Sequence, residues 1–485
     1  MTPIKHEPGC RNVTLLDHFS QRTAEHPDRT AIVERDGSTI TYSGLSKRAE
    51  ELAAAWAAKG IGKGDHVLVA VWPGIALYAS LAALWRLGAV AVLPEAAMGL
   101  AGFRHAAAAA APKALLADRP IRLLSWLFPE TRKIPLGLSP RSVGDADAAP
   151  SPTVAAADPA LISFTSGTTG KPKGMVRSHG LLLAQHEALA SLIAPQDEHE
   201  TDLVAFPAFV LTCLGHGTTV VMPGWDLRRH DRVSGETISR QARAMGVTRL
   251  LVPPVITARL AQDGLTTPVR RVLTGGGPVY PDVARAFLTR NPGTGLTIVY
   301  GSTEAEPISH VEAEALSETD WQEAARGGGL PVGAPVPEAT VLIEDGEILV
   351  AGPHVNETYM DRAQDAVTKL RRDGRIFHRT GDAGRLDQQG RLWLLGRLAA
   401  SRPGLHPFAI ETAARLQPGV TGAAVVAVQD RVVLFVEGAA PRLGDDFANR
   451  LATLGIAVRP LAAIPLDRRH RSKPDYAALT RLMDA

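Results

Sequence analysis

Aromatic side chains are scarce in this chain: Phe, Trp and Tyr make up 5% of its 485 residues. Cysteine is scarcer, with two residues, Cys10 and Cys213. Two thiols so far apart in sequence give neither a metal-ligand spacing nor a disulfide framework. A reducing, cytoplasmic setting is expected. An excess of one charge is also missing, since 52 Lys and Arg face 50 Asp and Glu for a net charge of +2. A dedicated nucleic-acid binder carries a clustered basic excess, so no nucleic-acid partner is expected. Arg371-Arg372 and Arg468-Arg469-His470-Arg471 read as solvated loops or helix ends. The opening MTPIKHEPGCRN has no apolar core of a signal peptide, and none is expected. Residues 67–85 carry no charge, long enough to suggest a membrane span. Pro73-Gly74 breaks that run into the strand-like VLVAV and the helix-like IALYASLAALWRLG, so no transmembrane segment is expected.

What is present fits a large globular α/β protein. Apolar residues are 45% of a chain long enough for two or three domains. Leu45, Ala49, Leu52 and Trp56 recur at helical spacing, and Gly60 is placed to stop that helix. A strand at 67–71, a helix after Pro73 and a strand at 90–94 follow, an alternation that predicts mainly parallel sheets. FRHAAAAAAP (103–112) reads as a helix without chemistry, and the Pro-, Asp- and Ser-rich 139–160 as a loop leading to the strand LISF. RRVLTGGGP (270–278) and LTIVYGSTE (296–304) are each an apolar strand running into a Gly-rich turn. Ligands of open α/β sheets sit beyond the carboxyl ends of strands, so the ends at 164, 273 and 300 are candidates to meet one ligand. Composition shifts at AASRPG after GRLWLLGRL (390–398), which places a boundary near 397–404. The expected domains are 1–397, a large α/β region of several subdomains, and 398–485, a small α/β domain.

FTSGTTGKPKG (164–174) crowds three glycines, four Ser and Thr residues and two lysines into eleven positions. Glycine lets backbone N–H groups approach an anion, hydroxyls add donors, and lysine adds charge, so the natural guest is a polyphosphate. The stretch is not a P-loop. That motif needs G-x-x-x-x-G-K-[ST], whereas Thr165 stands at the first glycine and Pro172, with no N–H and no metal-binding hydroxyl, follows Gly170-Lys171.

FTSGTTGKPKG resembles the signature loop of the adenylate-forming superfamily, which includes acyl-CoA synthetases, peptide-synthetase adenylation domains and luciferases. YGSTE (300–304), RTGDAGRLDQQGRLWLLGR (379–397), SKPDYAAL (472–479) and WRLGAVAVLP (85–94) are similar to further family motifs, in the family's order and across nearly the whole chain. The resemblance implies ATP and Mg²⁺ as partners of a carboxylic acid. It implies that Thr165, Ser166, Gly167, Thr168, Thr169 and Gly170 cradle the β- and γ-phosphates with Lys173 nearby. Gly275, Gly276, Gly277 and Pro278 would line the adenine, Tyr300 would pack on its ring, and Gly301 and Ser302 would belong to the same nucleotide site. Thr303 would contact phosphate and Glu304 would hold Mg²⁺. Asp382 would accept from the ribose hydroxyls beside Arg397, and Lys473 would reach the carboxylate and α-phosphate. Each role is chemically sound, because an anionic carboxylate must attack an anionic phosphorus and cations offset the repulsion. Singly, Glu304 reads as an acid near a helix N-terminus, Asp382 as a turn residue and Lys473 as a surface lysine; their joint order carries the reading.

The sequence departs from the pattern at the hinge. Ala399 stands where the family usually has Asp or Lys, the linker is short and contains Pro403, and FPAFV has Val210 where acyl-CoA synthetases commonly have His. These departures, with HRTGD and DRRHRSK, resemble the olefin-pathway branch, whose members adenylate a β-hydroxy acid and close it to a β-lactone. The acid pocket implied by the resemblance lies along FPAFVLTCLGH (206–216), with Phe206, Phe209, Val210 and His216 as its candidates, and along 301–310. An apolar acid is expected, with CoA, a carrier protein's phosphopantetheine or the substrate's own hydroxyl as acceptor. A phosphotransferase releasing ADP and a non-catalytic nucleotide binder are the competing classes.

Overall fold

A computed structural model describes residues 14–94, 98–165, 172–227, 229–402, 404–467 and 473–483. The chain divides into two compact units, 1–223 with 353–367 and 224–352 with 368–485.

The first unit is built on a six-stranded sheet. His66–Ala70 lies between Val90–Leu93 and Ala114–Ala117, parallel to both. Leu136–Leu138 and Pro159–Thr165 extend the parallel set on either side. Parallel neighbours need crossovers, and helices Ile75–Arg86 and Gly99–Ala110 supply two of them. The Ala-rich 103–112 stretch belongs to the second helix, where Ala106, Ala107 and Ala110 pack on Leu68, Val90, Val92 and Ile162. Methyl-sized side chains let the helix lie close on the sheet. Gly60 and Gly88 follow their helices at φ +84° and +67°, the left-handed conformation that glycine tolerates. A second group of strands runs in the order Thr201–Val204, Thr219–Val221, Thr30–Val33 and Thr39–Thr41. Among the described residues no helix is long and apolar enough to cross a membrane.

In the second unit Arg249–Val252, Arg271–Gly275 and Gly295–Ser302 are parallel. The sheet then turns antiparallel through Ala305–Glu312, Leu330–Pro335, Leu392–Arg397, Arg375–Leu386, Glu347–Ala351 and Thr340–Glu344. The alternation read from the early sequence holds for the parallel half. The antiparallel half forms because short turns, not helices, join most of its strands. The chain after Arg397 has its own sheet of Gly422–Val428, Arg431–Glu437 and Ile456–Leu461. Its central strand alternates faces: Val432, Leu434 and Val436 pack toward Ile410, Ala414 and Leu451, while Val433 and Phe435 pack toward Leu479 and Met483.

Candidate active site

The glycine-rich loop connects two antiparallel strands, Pro159–Thr165 and Lys173–Ser178, with Thr165 paired to Lys173. A P-loop feeds a helix; this chain turns back into a strand, in agreement with the missing lysine-serine pair. Ser166, Gly167, Thr168, Thr169 and Gly170 lie outside the described residues. The strands on either side are closely fitted. A β-carbon on Gly174 would lie 2.7 Å from the Met360 sulfur, and the Lys173 ammonium sits 5.8 Å from the centre of the Tyr359 ring.

In the second unit the strand that ends at Gly275 runs beside Gly295–Ser302, which extends three residues past that end. Gly275 pairs with Val299, and a β-carbon on Gly275 would meet the Val299 carbonyl oxygen at 2.5 Å, so only glycine fits there. Gly276 follows at φ +78°. Thr303 and Glu304 form the tip of the tight hairpin closed by Ser302 and Ala305.

Asp382 stands opposite Arg397 on adjacent strands. Tyr300 donates its hydroxyl to one Asp382 oxygen at 2.9 Å, and Arg397 donates to the other at 2.7 Å. Burial, with the Asp382 charge, pushes the Tyr300 phenol well above its ordinary range. The same carboxylate, acting against burial, raises Arg397. A carboxylate has about four lone-pair sites. One on each oxygen is taken, which leaves one on each for two further donors.

A cleft of about 760 Å³, counting the solvent space at its open side, brings part of this set together, without Gly275, Thr303 or Glu304 in its lining. Gly276, Gly277, Pro278, Tyr300, Gly301, Asp382, Arg397 and Lys473 line it, which unites eight of the residues singled out in the sequence. Lys473 is held by its backbone: its N–H donates to Asp467 at 3.0 Å, and its carbonyl accepts from the Asp467 N–H at 2.8 Å. Phe408 and Tyr476 also line the cleft and were not foreseen. Tyr476 lies inside the SKPDYAAL motif, so its position was available; Phe408 carries no local signal.

Phe206, Phe209, Val210 and His216 belong to the first unit. Phe206 precedes helix Pro207–His216, and its ring meets that of Phe209 edge-on at 5.5 Å. Val210 is wholly buried, whereas both phenylalanines keep part of their rings accessible. His216 stacks on His186 at 4.1 Å, and His186 meets His18 at 4.9 Å. Burial, aided by His216, pushes His186 down to about 2.

A strand-end glycine turn beside an aspartate flanked by tyrosine and arginine, with Lys473 in the same cleft, defines a nucleotide-handling α/β enzyme. The chain belongs to the AMP-binding enzyme family, whose model matches residues 19–360. It is an adenylate-forming ligase that activates a carboxylic acid with ATP, releasing pyrophosphate and holding the acid as acyl-AMP. It is similar to the olefin β-lactone synthetase of Stenotrophomonas maltophilia strain K279a, 32% identical with 86% of each chain covered. The olefin β-lactone synthetase of Xanthomonas campestris pv. campestris is also 32% identical, over 90% of this chain and 89% of that one. Among solved structures, the O-succinylbenzoate coenzyme A synthetase of Bacillus subtilis in complex with ATP and magnesium ion shares the fold. Its TM-score is 0.76 at 22% identity, over 93% of this chain and 97% of that one.

Proposed function

We propose that the acid is an apolar β-hydroxy acid and that the second step is its closure to a β-lactone inside the enzyme. The observation that carries this reading is the 32% identity to two olefin β-lactone synthetases over nearly the whole chain. The hinge supports it: Leu398–Ala400 is a single 3₁₀ turn with no charged side chain.

In the first step a carboxylate oxygen of the acid bonds to the α-phosphorus and pyrophosphate leaves. Asp382 accepts from the two ribose hydroxyls with its remaining lone pairs, Gly275 to Pro278 with Tyr300 hold the adenine, and Lys473 offsets charge at the carboxylate and α-phosphate. The phosphate role stays with Thr165 to Gly170, Lys173 and Thr303. Among the described residues no group of three His, Cys, Asp or Glu side chains could hold a metal. Magnesium is commonly held by one or two carboxylates plus substrate phosphates, and Glu304 on its hairpin tip suits that arrangement. A Mg²⁺ ion held there by Glu304 would supply positive charge to offset that of the pyrophosphate. In the second step the β-hydroxyl oxygen attacks the acyl carbon, AMP leaves with the bonding pair, and the hydroxyl proton passes to solvent. Phe206 and Phe209 face the acyl chain, residues 398–485 form a small domain that supplies Lys473, and the enzyme works in the cytoplasm.

The second reading is transfer to CoA or a carrier-protein thiol. AMP release from matched acids, with and without the β-hydroxyl and with and without CoA, separates the two. Lactone closure predicts CoA-independent release from the hydroxy acid alone, because an internal nucleophile has a large effective-concentration advantage. Fast CoA-dependent turnover of the plain acid, equal to or above that of the hydroxy acid, would favour the thiol.

A further inference from the structure

Residues 119–128 of the first unit form one helical run that is turned inside out. Helix Arg119–Ser125 continues through hydrogen bonds from Trp126, Leu127 and Phe128 to the carbonyls of Leu123, Leu124 and Ser125. Its anchored side is small or half-polar. Ile121 packs on the sheet core, Ser125 is buried, and its carbonyl accepts from the Thr131 hydroxyl at 2.5 Å. Its outer side is apolar: Trp126 and Leu127 are each 71% exposed, Leu123 65% and Leu124 53%. A water-facing helix surface is ordinarily polar. Four large apolar side chains within five residues form a patch rather than scattered exposure, and such patches mark interaction sites.

Charge identifies the partner. The stretch 119–133 holds Arg119, Arg122, Arg132 and Lys133 against one acid, Glu130. Arg104 takes that acid with two hydrogen bonds of 2.7 and 3.0 Å. Arg119, Arg132 and Lys133 are exposed, and among the described residues none of the three forms an ion pair. Arg119 lies one turn before Leu123, on the stripe that leads to Trp126 and Leu127. The whole chain is nearly neutral at +2, so this excess is local. An exposed apolar stretch bearing Trp and Leu, flanked in sequence by exposed basic residues, matches a bilayer interface, with the ring and aliphatic chains in the acyl boundary and the cations among headgroups.

We propose that residues 119–133 dock this enzyme reversibly on the surface of an anionic lipid bilayer. The proposal rests on this segment alone and does not depend on which acid or acceptor the enzyme uses. The test is flotation of the purified full-length protein with phosphatidylcholine vesicles, with and without about 30% phosphatidylglycerol. The wild type should float with the anionic vesicles, several-fold less with the neutral ones, and less in high salt. W126S/L127S and R132A/K133A should each lower the bound fraction by about tenfold, while acid-dependent pyrophosphate exchange stays within about twofold of wild type, which shows that both variants fold. Absence of wild-type binding to anionic vesicles, or equal binding by the variants, would overturn the proposal. So would a wild-type oligomer that W126S/L127S converts to monomer, since the apolar stretch would then be a self-interface.

Discussion

Asp382 has two oxygens and two protein partners, Tyr300 and Arg397. The strand register that sets Asp382 against Arg397 fixes one contact. The buried Tyr300 hydroxyl, which must find a partner inside the protein, fixes the other. Lys473 differs, because its side chain extends from a short backbone pairing with Asp467 rather than from a sheet. Its value is its charge at the cleft, so Lys473→Ala should leave the nucleotide pocket standing. Acid-dependent pyrophosphate exchange should fall by about 10²–10³, the usual cost of removing one electrostatic stabiliser of the transition state. ATP binding, followed by equilibrium titration, should change far less. Exchange at the wild-type rate would remove Lys473 from the reaction. Most of this residue set was legible because each member sits in a short motif whose order is informative. Phe408 was not, since its part in the cleft depends on a helix that packs only after the chain folds.

At the scale of one element, helix Pro407–Arg415 shows why such partners escape a linear reading. Glu411 is wholly buried. It accepts from the Tyr280 hydroxyl, 131 positions away in sequence, and from the Val425 N–H at 2.8 Å. One turn on, Arg415 donates to Asp282 at 2.7 and 3.0 Å and lies 4.7 Å from the Tyr280 ring centre. No spacing rule links 280 to 411, so the sequence offers no sign of this clasp. The exposure of 123–127 was equally hidden, because an apolar run such as PIRLLSWLF does not by itself say which of its sides faces water. Burial pushes the Glu411 carboxyl up to about 7 from an ordinary 4.5. The folded protein therefore keeps this proton up to about pH 7, whereas the unfolded chain loses it near 4.5. Between those values the folded state binds more protons, so its stability falls as pH rises. At about 1.4 kcal/mol per unit the contribution is on the order of 3 kcal/mol. Glu411→Gln keeps the shape and an acceptor for Val425 but has no proton to lose. Denaturation compared at about pH 5 and pH 8 should show the wild type losing more stability than the variant by that order of magnitude. Equal losses in the two proteins would mean that Glu411 ionises freely in place.

At the scale of the whole molecule, the two candidate acceptors differ in whether residues 398–485 must turn between the two steps. Compactness groups 398–485 with 224–352, and the clasp of Glu411 with Tyr280 lies within that unit. Thiol transfer asks for a rearranged site, but closure by a hydroxyl already on the substrate does not. The hinge offers a way to test this without disturbing the cleft. Arg397 is extended at φ −76° and ψ 132°, and Leu398 opens the 3₁₀ turn that closes with Ser401 N–H donating to the Leu398 carbonyl. Proline tolerates the first position of a helical turn and requires an extended residue before it. Leu398→Pro therefore suits the start of this turn while fixing φ within the hinge, one residue before Ala399. In the lactone reading this variant should keep pyrophosphate exchange and CoA-independent AMP release from the β-hydroxy acid within about threefold of wild type. Any residual CoA-dependent turnover of the plain acid should drop by an order of magnitude or more, because that route needs the pivot to move. The informative contrast is between the steps. If exchange persists while AMP release from the hydroxy acid collapses, the second step requires rotation of residues 398–485, and closure in an unchanged site is wrong.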